Sequence, residues 1–135
     1  MKTSVIRKVI FNSAHRLYNP EWDMKKNDEV FGLCNNPNYH GHNYELHLKV
    51  TGDIDPETGY VIDLKKLNDL LQFEIVERFD HKNINLDVAE FKNLNPTAEN
   101  IAKVIYDILK PKLDPQLKVQ VTLYETPRNY VIYPD

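Results

Sequence analysis

Cysteine is nearly absent from this chain: Cys34 stands alone among 135 residues. One thiol cannot close an intramolecular disulfide, so the fold must rest on its core and needs no oxidising compartment. An excess of positive charge is lacking too. Seventeen Lys and Arg against 20 Asp and Glu leave a formal net charge of −3, which argues against nucleic acid as a partner, because such a role calls for a basic face. No apolar run approaches membrane-spanning length. The opening residues, Met1-Lys2-Thr3-Ser4-Val5-Ile6-Arg7-Lys8, are broken by charge before a signal-peptide core can develop. Repeats, low-complexity segments and linkers are also missing. The length suits one core and not two. These absences lead to the expectation of a single domain over residues 1–135, soluble and cytoplasmic, with no membrane or nucleic-acid partner.

What the chain does have is concentrated. The stretch Cys34-Asn35-Asn36-Pro37-Asn38-Tyr39-His40-Gly41-His42-Asn43-Tyr44 holds the cysteine and two of the five histidines. Side chains of an extended backbone alternate with period two, so His40 and His42 project to the same side. A His-x-His pair supplies two of the three or four ligands that a zinc ion takes. Cys34, a short loop away, is placed to be a further ligand, or a base or nucleophile beside the metal. His15, at the end of the strand-like run from Phe11, is the candidate for the third ligand. His47 shares the polar side of an alternating run with Glu45 and Lys49 and reads as solvated. His81 follows Asp80 at the end of a helical pattern, where an acid can orient or polarise an imidazole. A lone histidine is most simply a surface or core residue; the joint spacing is what points to metal.

The elements follow from periodicity. A first strand is expected from about Ser4 to Ala14, with Val5, Ile6, Val9, Ile10 and Phe11 as β-favouring bulk. Tyr18 to Asp28 reads as a long excursion, the sort of loop that is often functional. A second strand, Asn43 to Thr51, alternates Tyr44, Leu46, Leu48 and Val50 against polar residues. Gly52 to Gly59 is a turn region. Asp63 is placed to cap a helix reaching about Phe79, with Leu64, Leu67, Leu71, Ile75 and Phe79 on one face. A second helix starts at Asn95-Pro96-Thr97 and ends at Pro111. Strands at Leu117 to Glu125 and Tyr130 to Tyr133 close the chain. The order ββααββ predicts an α+β domain, an antiparallel sheet with both helices on one face. The other sheet face is left for water or another subunit.

Glu125 continues the apolar series Leu117, Val119, Val121, Leu123 by period two. A carboxylate at that point is either a residue of the solvent rim or the anchor of a pocket. It accepts paired N–H donors well, and a pterin or guanine edge presents such a pair.

Phe-x-x-Ala-His at residues 11–15, Cys-Asn-Asn-Pro-Asn-x-His-Gly-His-Asn-Tyr at 34–44, Asp80-His81-Lys82-Asn83, Thr97-Ala98-Glu99-Asn100 and Tyr124-Glu125-Thr126 together resemble the 6-pyruvoyl-tetrahydropterin synthase family. The resemblance runs in register from Phe11 to Tyr133. It implies the tunnelling fold (T-fold), a four-stranded antiparallel sheet with two helices, assembled as trimers that stack into a hexamer with active sites at subunit interfaces. It implies a zinc-dependent lyase that converts 7,8-dihydroneopterin triphosphate to 6-pyruvoyl-tetrahydropterin with loss of triphosphate, in tetrahydrobiopterin biosynthesis. Carried over by motif, His15, His40 and His42 hold zinc and Cys34 is the general base. Asp80 and His81 assist proton transfer, Glu125 anchors the pterin ring, and Thr97 and Glu99 line the same pocket. Thr97 also stands where a helix N-cap is wanted, which needs no ligand.

Two other readings compete. The 6-carboxy-tetrahydropterin synthases of queuosine biosynthesis share substrate, metal and base, but their cysteine usually precedes His-Gly-His by three residues. Here five, Asn35 to Tyr39, intervene, which resembles the pyruvoyl branch. The second reading is a non-enzymatic zinc module with a closed site of one thiolate and three imidazoles, formed by Cys34, His15, His40 and His42. That would leave Asp80, His81 and Glu125 without a purpose, and closed sites typically use more cysteine. Arg16, Lys25, Lys26 and Arg128 are the candidates for gripping the triphosphate.

Overall fold

The computed structural model describes residues 2–135. β1 (Lys2–His15) leads through α1 (Met24–Phe31) and a 3-10 turn (Gly32–Asn35) into β2 (His40–Asp53). α2 runs over Leu64–Leu71, continues as a π turn through Gln72–Val76 and finishes at Glu77–Phe79. A two-residue strand β3 (Lys82–Asn83) and short helical turns precede α3 (Ala98–Leu109). β4 (Lys118–Thr126) and β5 (Asn129–Tyr133) form the last hairpin.

The sheet order is β3-β1-β2-β4-β5. β1 and β2 pair antiparallel over their whole length, from Lys2 opposite Asp53 to His15 opposite His40. The expected four antiparallel strands are present, and the α+β class and ββααββ order of the long elements hold. The count is corrected by β3, which adds a fifth strand that runs parallel to β1 beside Ser13 and Ala14. Two residues of pairing leave no periodicity to read in a sequence.

One sheet face carries the core. Tyr44, Leu46, Leu48 and Val50 of β2 are fully buried, flanked by Val9 and Phe11 of β1 and Val119, Val121 and Leu123 of β4. Leu67, Leu71, Ile75 and Phe79 of α2 and Ile101, Ile105 and Leu109 of α3 pack on them. Burial of this apolar area is the main stabilising term. The opposite face keeps Ile6, Ile10, Tyr130 and Ile132 exposed. His47 lies on that face but is not simply solvated: its Nε2 pairs with Glu45 Oε2 at 2.7 Å and its ring packs on Tyr124.

The π turn has a cause in the sequence. Leu67, Leu71, Ile75 and Phe79 recur every four residues, whereas three ideal α-helical turns take only about 10.8 residues. A regular helix would therefore rotate Phe79 away from the face begun by Leu67. The wider π turn absorbs about one surplus residue and keeps all four buried. Leu64, expected on this face, is instead exposed at the helix start. α1 corrects a second expectation, since it begins inside the stretch read as a loop. Asp23 caps it by accepting from Lys26 N, and its one buried residue is Asn27, so no apolar stripe advertises the helix.

Candidate metal centre and catalytic pocket

The pairing of His15 with His40 sets the site. His15, His40 and His42 point to the core-bearing side of the sheet, just beyond its last buried aromatic, Tyr44. Ring centroids are 4.5 Å apart for His15 and His40, 5.1 Å for His15 and His42, and 5.0 Å for His40 and His42. One donor nitrogen from each lies within 4.8 Å of the others.

Three buried ring nitrogens, His15 Nε2, His40 Nδ1 and His42 Nε2, have no hydrogen-bond partner. Leaving such a group unpaired costs about 1–3 kcal/mol, so three at one point mark a place built for something that accepts lone pairs. The surroundings prepare His15 for this. Its Nδ1 hydrogen is donated to the Pro96 carbonyl at 2.8 Å, which leaves the Nε2 lone pair facing the cluster. The Tyr44 hydroxyl stands 3.3 Å from the same Nδ1. Burial lowers the pKa of His15 from 6.5 to about 4, the Pro96 carbonyl opposing and His40 and His42 adding to the shift. Burial and then His42 lower that of His40 as well. Neutral imidazole is the form a metal binds, so the donor set fits a divalent ion that favours nitrogen.

Glu125, at the end of the apolar face of β4, turns its carboxylate to this cluster. Its Oε2 is 3.9 Å from His15 Nε2 and its Oε1 is 3.9 Å from His42 Nε2. A ligand edge held by Glu125 therefore has to lie over the histidines and not off to one side. Burial, with Glu125 adding to it, pushes the Tyr44 phenol well above its ordinary value.

Cys34 is half-buried in the 3-10 turn. Gly32 ends α1 with φ at 56°, a left-handed conformation that glycine takes without strain, and so lets the chain break into that turn. Leu17 N donates to the Cys34 carbonyl at 2.8 Å, which ties the turn to the residues following His15. Among the described residues no thiol joins the histidine cluster, so the closed arrangement of one thiolate and three imidazoles is not formed.

Asp80 and His81 meet as expected, His81 Nδ1 lying 2.8 Å from Asp80 Oδ2. The Asp80 carboxylate is held below its usual pKa by the Asn12 backbone N–H and then by His81. His81 adopts φ of 59°, a conformation that costs a non-glycine residue about 1–3 kcal/mol. Its ring is 82% exposed, and among the described residues no hydrogen bond joins it to Cys34 or to the histidine cluster. Thr97 is the N-cap of α3, its Oγ1 accepting from Asn100 N at 3.2 Å, and Glu99 is exposed in the first turn of that helix.

Sequence reasoning missed the asparagines and the Pro96 carbonyl. Asn27 accepts from Asn19 N and donates to the Asn19 and Asp23 carbonyls, which knits the excursion between β1 and α1. Asn35 and Asn85 bind Arg16, whose side chain is thereby already engaged. Buried and solvated asparagines look alike in a sequence. A cleft of about 480 Å³, lined in part by Tyr18, Trp22, Phe31, Phe91 and Pro96, adjoins the cluster through Pro96 without containing it.

Residues 4–135 match the family described as 6-pyruvoyl tetrahydropterin synthase. The human 6-pyruvoyl tetrahydrobiopterin synthase is 40% identical over 132 residues, covering 98% of this chain and 91% of that protein. A 6-carboxy-5,6,7,8-tetrahydropterin synthase of Rickettsia bellii is 31% identical over 145 residues, covering 93% and 95%. The structure of the Caenorhabditis elegans 6-pyruvoyl tetrahydropterin synthase superposes with a TM-score of 0.92 at 37% identity, covering 98% of this chain and 95% of that one. Histidine cluster, sheet and sequence agree, and the chain belongs to the 6-pyruvoyl tetrahydropterin synthase family.

Proposed function

We propose that this protein is a zinc-dependent lyase that converts 7,8-dihydroneopterin triphosphate to 6-pyruvoyl-tetrahydropterin with loss of triphosphate. The observation that carries the reading is the convergence of three buried, unpartnered imidazole nitrogens, from His15, His40 and His42, at one point. His15, His40 and His42 hold the zinc. When bound it supplies Lewis acidity that makes the side-chain carbons of the substrate easier to deprotonate.

The chain's own residues do the rest. Cys34, as the general base, withdraws the proton. Asp80 orients His81, which passes protons on. Glu125 accepts N–H donors of the pterin ring, with Thr97 and Glu99 at the same pocket. Every step is a proton transfer or an elimination, so no external oxidant is required.

The active unit in this reading is a hexamer, a dimer of trimers, with each site completed by a neighbouring subunit. The exposed ring of His81 supports this. So do the free edge of β1, which β3 pairs only at Ser13 and Ala14, and the exposed Ile6, Ile10 and Ile132 on the uncovered face. Residues 1–135 act as one domain around one core. Cys34, which must remain a thiol, suits the cytoplasm. No described helix is long and apolar enough to cross a membrane.

The 6-carboxy reaction is the alternative, favoured by the Rickettsia relative and opposed by the five residues between Cys34 and His40. Incubation of the purified protein with the triphosphate, with products identified by mass spectrometry, separates the two. Cys34→Ala should keep its zinc and its thermal stability while turnover falls by about a hundred- to ten-thousand-fold. Loss of zinc together with unfolding would show Cys34 to be a structural ligand instead.

A further inference from the structure

Arg16 follows a metal-ligand candidate directly, and its charge makes it an obvious choice for a phosphate ligand. Its side chain is otherwise committed. Arg16 Nε donates to the Asn35 carbonyl at 2.9 Å and to Asn35 Oδ1 at 3.2 Å, and Nη2 donates to the same Oδ1 at 3.0 Å. Asn35 is 3% exposed, and its amide nitrogen donates to Asp28 Oδ1 at 2.7 Å. The Arg16 backbone is gripped as well: its N–H donates to Asn85 Oδ1 at 2.8 Å and its carbonyl accepts from Asn85 Nδ2 at 2.9 Å. The guanidinium lies 4.3 Å from the centre of the Tyr18 ring.

The focus of these bonds is the thiol. Asn35 is the next residue after Cys34, and the Cys34 carbonyl is itself bound by Leu17 N. Both peptide units that follow the Cys34 side chain are thus tied to the two residues after His15. The 3-10 turn carrying Cys34 has four residues and no side-chain cap of its own, so few of its bonds come from within it and the contacts from Arg16 and Leu17 fix its place. Arg16 offers a planar fork that reaches a backbone and a side-chain oxygen of one residue together, which a lysine cannot do.

We propose that Arg16, seated by Asn85, is a positioning residue that holds Cys34 at a set approach to the histidine cluster through Asn35. This rests on the reading of Cys34 as the base, and it gives Arg16 a role in kcat rather than in phosphate affinity. Misplacing a reacting group by about 1 Å can cost on the order of a hundredfold in rate.

The test uses Arg16→Lys, which removes the whole fork, Asn35→Ala, which removes its side-chain oxygen and leaves the carbonyl bond, and their double variant. Cys34 is the sole cysteine, so the rate of iodoacetamide alkylation reports on it alone in the full-length protein. With zinc content retained, each single variant should lower kcat by about ten- to a hundredfold while KM stays within about threefold. Alkylation should change in the same direction in both, and the double variant should be no worse than Arg16→Lys. A rise in KM with unchanged kcat in Arg16→Lys, and a silent Asn35→Ala, would make Arg16 a phosphate ligand and overturn the proposal. So would additive losses in the double variant. If Cys34→Ala keeps its turnover, the base assignment fails; a shared alkylation change in the two variants would still show the clasp.

Discussion

Acid should destabilise the metal-free protein through His15. The ring is fully buried, and its pKa falls from 6.5 to about 4 through burial first, with the Pro96 carbonyl opposing and His40 and His42 adding. Between those values the unfolded chain binds a proton that the folded chain refuses, so stability rises with pH across the window and is lost as pH falls from about 6.5 to about 4. At about 1.4 kcal/mol for each tenfold, the gap is worth roughly 3 kcal/mol, a large share of the about 5–15 kcal/mol that holds a typical domain folded. His40 is lowered by burial and by His42, so it acts with the same sign. Urea titrations of chelator-stripped protein, from about pH 7.5 to about pH 4.5, read the effect directly. The comparison is His15→Asn, whose amide can keep a bond to the Pro96 carbonyl but does not titrate. The wild type should lose roughly 2–3 kcal/mol more than the variant over that range. Parallel curves would refute the reasoning, because His15 would then titrate as freely in the fold as in the unfolded chain.

Glu125→Gln should weaken a pterin product analogue by about ten- to a hundredfold, since the amide turns a donor toward a ligand donor. Because its carboxylate lies 3.9 Å from two ring nitrogens of the cluster, zinc affinity should fall as well, by roughly tenfold. Titrations of the analogue and of a zinc chelator read both, and unchanged pterin affinity would reduce Glu125 to a rim residue. Thr97→Ala should cost about 1 kcal/mol of stability through the lost helix cap, read by urea titration. It should leave analogue affinity within about threefold of the wild type, and a larger loss would make Thr97 a ligand contact.

The sheet and both long helices were legible because their residues repeat. Tyr44, Leu46, Leu48 and Val50 alternate, and the run from Leu67 to Phe79 recurs by four. Even the π turn is present in that spacing, as the mismatch between four and 3.6. α1 was hidden because it buries one asparagine and no stripe. β3 was hidden because pairing over two residues depends on where α2 ends, not on local preference. At the site, His15, His40 and His42 were readable as donors because two share a strand face and the third closes a strand. Their second partners were not. Pro96 contributes a carbonyl that every residue carries, and nothing in its side chain marks it for His15. Asn35 and Asn85 resemble any loop asparagines until the fold brings Arg16 between them.

The long ladder between β1 and β2 also has a direction in time. Lys2 and Asp53 are 51 residues apart in the chain, whereas His15 and His40, at the other end of the same ladder, span about half that distance. Loop closure costs entropy that grows with length, about 0.6 kcal/mol for each doubling. No tight turn joins these strands, so pairing is least costly when it starts at the histidines and zips away from them. The shortest route to the sheet therefore begins at the histidine cluster, and two of the residues whose unpartnered nitrogens converge there are also the first register marks of the fold. On this loop-closure argument a substitution at His15 or His40 should slow pairing of the ladder, while one at Lys2 should affect mainly its far end.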